Sequence, residues 1–191
     1  REGRIQSALA CHRRTIELKP THPGAYNNFA NTVKQASRIG LNCGDELCTP
    51  TKLRDVSARA LQTVIGLNPR HANAYVNLAS LLRFDYRFDE AIALGRTAVR
   101  IEPRHVMGYE NMGRALQAHS APETMPTATA EQPPGRGDDT LVHTALGGWR
   151  WRERLEDAVD AYQTVLSVAG RRASADAYRG LGYSLMWLGR E

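Results

Sequence analysis

Four times along this chain a tyrosine opens the same arrangement of apolar and small residues. After Tyr26, Tyr75, Tyr109 and Tyr178 an apolar residue follows three positions on (Phe29, Leu78, Met112, Leu181) and a small one four positions on (Ala30, Ala79, Gly113, Gly182). Another apolar residue stands seven positions on (Val33, Leu82, Leu116, Leu185). Positions i, i+3, i+4 and i+7 share one stripe of an α-helix, and a small residue inside the stripe lets a neighbouring helix come close. A second kind of segment runs from Ala91 to Pro103, with counterparts Ala8 to Pro20, Ser57 to Pro69 and Ala158 to Gly170. It predicts the second helix of each pair. Pro20, Pro69 and Pro103 cannot continue a helix and mark the turns between pairs.

The block at Tyr75 recurs at Tyr109, after 34 residues. A helix pair of that length cannot bury its own apolar face, so such units must stack. The predicted fold is therefore all-α, an α-solenoid of antiparallel helix pairs. Tyr26 to Tyr75 is one period plus 15 residues, and Tyr109 to Tyr178 is one period plus 35. Both excesses are assigned to insertions between the two helices of a repeat, at about 39–55 and at 120–152. The resulting organisation is a single array over 1–191: a second helix at 1–20, a repeat at 21–69 with the first insertion, a regular repeat at 70–103, a repeat at 104–172 with the second insertion, and a first helix at 173–191. The stretch from Ser120 to Asp139 is poor in apolar residues and is expected to be disordered. The longer spacing is also two periods plus one, which would make 141–152 a degenerate extra helix. Pro122, Pro126, Pro133 and Pro134 argue against the helix that would have to precede it. An insertion ending in a short helical extension is the reading adopted.

The order Tyr, Leu, Gly or Ala, then Ala, Ala and Pro over most of the chain resembles the tetratricopeptide repeat (TPR) family. Gly95 and His12 stand where that family usually has an aromatic residue, and Gly170 replaces the closing proline. The resemblance implies a right-handed superhelix whose concave groove binds other proteins: a protein-interaction scaffold holding a peptide segment of a partner.

One polar column gives that expectation residues. Two positions after each leading tyrosine stand Asn28, Asn77, Asn111 and then Gly180; five positions after stand Asn31, Ser80, Arg114 and Tyr183. At about 100° per residue both columns lie on the side of the helix away from the apolar stripe. An asparagine amide carries a donor and an acceptor, so a regular row can pair with the backbone of an extended peptide. The candidate peptide-binding set is Asn28, Asn31, Asn77, Asn111 and Arg114, against a plain solvated surface as the rival reading. The row also resembles the TPR superhelix of O-linked N-acetylglucosamine transferases and SPINDLY-like proteins. That resemblance implies an alternative, the substrate-recognition region of a glycosyltransferase whose catalytic domain lies outside this chain. Chaperone adaptors that clamp a terminal carboxylate place Lys where Asn27 and Val76 stand, which weighs against that subclass.

Composition trims the options. With 42% apolar residues and no run of ~18 of them, the sequence predicts no membrane span. Three cysteines and no Asn-x-Ser/Thr sequon favour a reducing, intracellular setting, cytoplasm or nucleus. A start without Met at a second helix, and an end after a first helix, read as a piece of a longer protein in which a targeting signal would not be seen. Self-association through bare ends, at Leu181, Leu185 and Leu188, is expected on that reading.

The net charge is +5, and arginine supplies 22 of the 25 basic residues. Acidic residues are interspersed, which argues against a nucleic-acid partner. Trp149 to Arg154, alternating basic and aromatic residues, is the one local exception. His22, His71 and His105 each follow a closing proline by two positions and are read as turn residues, too far apart in stacked repeats to share an ion. Cys43 and Cys48 lack a second pair for a zinc site, and Arg136-Gly137-Asp138 is a coincidental adhesion tripeptide. There is no phosphate loop, nucleophile elbow or His-Glu-x-x-His, so the segment alone is not read as an enzyme and needs no cofactor or metal.

Overall fold

Helices begin in this chain where a side chain can take up the amides of the first turn. The computed structural model describes residues 2–40, 49–120 and 150–189. Following α1 (Glu2–Leu18), α2 (Pro23–Arg38) opens with Pro23 in its first turn and His22 as its cap, Nδ1 accepting from the Ala25 amide at 3.2 Å. Thr49 caps α3 (Pro50–Leu67) through Oγ1, which accepts from the Lys52 amide at 3.3 Å, and Pro50 occupies the first turn. His71 and His105 repeat the His22 arrangement before α4 (Ala72–Phe84) and α6 (Val106–Ser120), accepting from Ala74 at 3.3 Å and Gly108 at 3.1 Å. Between them α5 (Phe88–Ile101) starts with Asp89 and Glu90, whose charge suits the positive end of the helix dipole. The chain continues through α7 (Arg150–Ala169), a 3₁₀ turn at Gly170–Arg172, and α8 (Ala175–Trp187), capped by Ser174. Gly170, at φ +53°, turns the backbone as the missing proline would not. No strand occurs among the described residues, and none of their helices is long and apolar enough to cross a membrane.

Two helices start earlier than the repeat pattern suggests. Residues 50–55, assigned to the first insertion, are the opening turns of α3, because Thr49-Pro50 is itself a helix start signal. Likewise α7 begins eight residues ahead of Ala158. Residues 41–48 and 121–149, holding about half of the first expected insertion and most of the second, lie outside the described residues. So do Cys43, Cys48 and the Arg136-Gly137-Asp138 tripeptide.

The chain divides into two compact units, 1–81 and 82–191. In the first, α2 packs against α1 and α3. Phe29, Ala30, Val33 and Ala36 of α2 are buried, as are Leu61 and Val64 of α3, and the buried Ser57 hydroxyl donates to the Ala30 carbonyl at 2.9 Å. The stripe read from the sequence is the one that faces inward. In the second unit α6 packs against α5, α7 and α8. Gly95 sits where a larger residue would crowd α6, since a Cβ there would lie 3.1 Å from that of Met112. Tyr162 of α7 is fully buried, its ring lying against Gly113 of α6 and Gly180 of α8.

In α8 the buried residues are Ala177, Gly180 and Ser184, while Leu181 and Leu185 are only partly covered. They pack on Leu155, Val159 and Leu188 from one side. A first helix needs neighbours on two sides to bury its whole stripe, and among the described residues α8 has neighbours on one side.

The turn after α4 carries an unusual residue. Tyr86 has φ +59° and its side chain is 82% exposed, while Gly189, eleven positions after its leading tyrosine just as Tyr86 is, has φ +66°. A left-handed residue at a helix end favours glycine, because a Cβ there approaches the following carbonyl. Replacing Tyr86 with Gly is therefore expected to raise stability by about 1 kcal/mol, part of the relief being offset by glycine's greater freedom in the unfolded chain. Denaturant titration checks this, and an unchanged or lowered midpoint would show that the ring stabilises the turn by more than the backbone strain.

Candidate binding face

The polar sides of the first helices differ between the two units. In the first unit Asn28 is exposed and Asn31 half-buried, and among the described residues nothing pairs with either side-chain amide. Asn77 of α4 is already engaged. Its Nδ2 donates to Asn27 Oδ1 at 3.2 Å, and its Oδ1 accepts from Lys34 Nζ at 3.2 Å. These bonds tie α4 to α2 and fix the Asn77 amide in one orientation, leaving one N–H and one lone pair for a ligand. Burial holds the Lys34 ammonium below the usual lysine range, and Arg38 adds to the effect.

In the second unit Asn111 is 7% exposed, unlike Asn28, because α7 and α8 both cover α6. Its neighbour Glu110, 3% exposed, accepts from the Ser174 hydroxyl, the group that also caps α8 by accepting from the Ala177 amide at 3.1 Å. Arg114 donates to Asp176 Oδ2 at 2.7 Å and lies 3.8 Å from Glu110. Asp176 also pairs with Arg179. The Tyr162 hydroxyl donates to Gln117 Oε1 at 2.9 Å, and Gln117 Nε2 donates to the Gly180 carbonyl at 2.6 Å and to Ser184 Oγ at 2.7 Å. Burial pushes the Tyr162 phenol up to about 12. The interruption of the asparagine row at Gly180 thus has a cause: the Tyr162 ring fills the space a side chain would need.

A further column, eight positions after the leading tyrosine, holds Lys34, Arg83 and Gln117. Two of these bond the residue that the asparagine column supplies in the following repeat, Lys34 to Asn77 and Gln117 to Gly180. Arg83 differs. Its Nε is buried with no acceptor among the described residues, and its guanidinium carbon lies 4.6 Å from the centre of the Phe84 ring. Burial, and then repulsion from Arg114, lower its pKa. Repetition of a cation at one register was the signal that could have singled out Lys34 and Arg83.

Trp149 lies outside the described residues, and of the run it opens, Arg154 sits 3.9 Å from Asp89. Among the described residues no three His, Cys, Asp or Glu side chains come together as a metal would require.

No family model matches the chain. Among solved structures it is similar to the MamA protein (TM-score 0.62, 14% identity, 98% of this chain and 75% of that one). It is also similar to a thermophilic TPR protein of Thermus thermophilus (TM-score 0.64, 14% identity, 96% and 74%). At that identity the likeness establishes the fold alone, and the chain has the all-α tetratricopeptide fold. A curated relative, the 1D-myo-inositol 2-acetamido-2-deoxy-alpha-D-glucopyranoside deacetylase of Thermobifida fusca (strain YX), is 39% identical over 71 residues. The match takes in 37% of this chain and 24% of that enzyme.

Proposed function

We propose that this chain is a protein-interaction scaffold that takes a peptide segment of a partner protein along the polar sides of its first helices, in the groove those helices line. One observation carries the proposal. Asn28 and Asn31 hold amides unpaired among the described residues, on a helix whose opposite face is buried, beside an Asn77 amide already oriented by Asn27 and Lys34. Donors and acceptors fixed on a rigid helix can pair with a peptide backbone whatever its sequence, and little ordering is then needed on binding. Arg114, held by Asp176 and partly exposed, is the matching polar group of the second unit. The glycosyltransferase alternative draws on an asparagine row, and that row is weakened where Asn111 is buried and Gly180 lies under Tyr162.

The test uses peptides selected from a random displayed library on the whole chain. Asn28→Ala with Asn31→Ala is expected to weaken them by about 1–3 kcal/mol at an unchanged melting temperature. Asn111→Ala is expected instead to lower the melting temperature, since it opens a buried polar site. Selected peptides that bind the double variant as tightly as the parent would move the binding surface elsewhere.

A further inference from the structure

Resting on the peptide-binding reading, the geometry points to an acidic peptide: we propose that an Asp or Glu side chain of the partner supplies the counter-ion that Arg83 lacks. A guanidinium Nε withdrawn from water without an acceptor is unfavourable, and a planar fork of donors suits a carboxylate better than any neutral group. The Phe84 ring covers one face of the guanidinium, and in its plane the buried Nε has no acceptor among the described residues. Among the described residues the carboxylates around Arg114 are already engaged. Asp176 is taken by Arg114 and Arg179, and Glu110 by Ser174 and Arg114.

The same register of the other unit tells the same story. Lys34 stands eight residues after Tyr26 as Arg83 does after Tyr75, is half-buried, and bonds to the neutral Asn77 amide. Among the described residues no carboxylate pairs with it, and Arg38 adds a second positive charge four residues on. In a chain of net charge +5, the first unit thus holds Lys34 without a carboxylate beside the Asn77 amide, as the second holds Arg83. Isolated carboxylates fit this arrangement better than a phosphodiester chain does. Glu110 and Asp176 both pair with Arg114 in the second unit, and their charge would oppose a continuous run of phosphates there.

The experiment measures fluorescence anisotropy of three labelled probes on the whole chain: a peptide of alternating Glu and Ser, its Gln counterpart, and oligo-dT of equal length. The Glu peptide is expected to bind about tenfold tighter than the Gln peptide at low salt, with the gap closing as salt rises. Arg83→Gln should bring the Glu peptide down to the Gln level and leave the Gln peptide unchanged. Arg83→Lys should retain part of the preference. Because Arg83 Nε has no acceptor among the described residues, both variants are expected to melt as the parent does. Should Arg83→Gln fail to fold, Lys34→Gln and Arg83→Lys read the same difference. Equal binding of the Glu and Gln peptides would overturn the acidic preference and leave the scaffold reading standing. Binding of neither peptide would overturn both. Tighter binding of oligo-dT, lost in Arg83→Gln, would assign the cations to nucleic acid and overturn the proposal.

Discussion

Giving position 180 any side chain is expected to break the packing of α7 against α8. The Tyr162 ring lies so close that a Cβ on residue 180 would overlap Cζ, and one on Gly113 would sit 2.9 Å from it from the α6 side. A ring held between two helices has little room to retreat, so Gly180→Ala, or the row-completing Gly180→Asn, should cost about 3 kcal/mol. Tyr162→Ala leaves a cavity at the largest fully buried side chain and should cost about 3–5 kcal/mol. Paired with Gly180→Ala it should cost less than the sum, because the clash and the cavity occupy one volume. Denaturant titration of the two single variants and the double decides the matter, and strict additivity would mean that the ring and Gly180 are independent.

The Tyr162 hydroxyl offers a separate check. Burial raises its ionisation to about 12, while an unfolded tyrosine ionises at about 10. Between those values the unfolded chain releases a proton that the native chain keeps, so stability present below pH ~10 is lost as pH climbs toward 12. Tyr162→Phe, which forfeits the Gln117 bond, should be less stable at neutral pH and should fall less steeply over that window.

The fold was legible because tetratricopeptide units carry their information locally. A tyrosine followed by Phe29, Ala30 and Val33 defines a buried stripe whatever lies further along the chain, and the structure buries that stripe in α2. Helix starts were less legible. Tyrosine-to-tyrosine spacing measures the length of an excess and says nothing about which helix has grown, so Thr49-Pro50 was absorbed into an insertion. The candidate binding face divides in the same way. Asn28 is exposed and Asn31 partly so, as helical geometry requires, since a helix alone decides which side faces away from its stripe. Asn111 occupies the same register and is buried, because exposure depends on how many helices cover α6, and α8 joins α7 in doing so. Gly180 looked like a gap in a row until the ring of a residue 18 positions earlier was placed against it. The unmatched Arg83 was unreadable for a related reason: only the fold shows which carboxylates are already taken.

Substituting alanine for His22, His71 and His105 together is expected to lower stability by about 3 kcal/mol, roughly 1 kcal/mol for each lost cap. Each imidazole Nδ1 accepts from the amide three residues on, at 3.2, 3.3 and 3.1 Å. That role requires Nδ1 unprotonated. The His22 ring folds back over the first turn, as a Cβ at Gly24 would lie 2.9 Å from its Cε1. Serine or asparagine can offer an equivalent acceptor, so His22→Ser and His71→Asn should restore most of the loss in the first unit. At the buried His105 only a small neutral cap should do so, since a carboxylate would be desolvated there. The caps also fix where each first helix begins, and through it the register of Asn28, six residues after His22, and of Asn77, six after His71. Loss of the caps should therefore weaken the library-selected peptides even under conditions where the chain stays folded, with hydrogen exchange rising first at Ala25, Ala74 and Gly108. A triple alanine variant with the parent's denaturation midpoint and exchange pattern would reduce the three histidines to turn residues, leaving the helix starts to Pro23 and the backbone alone.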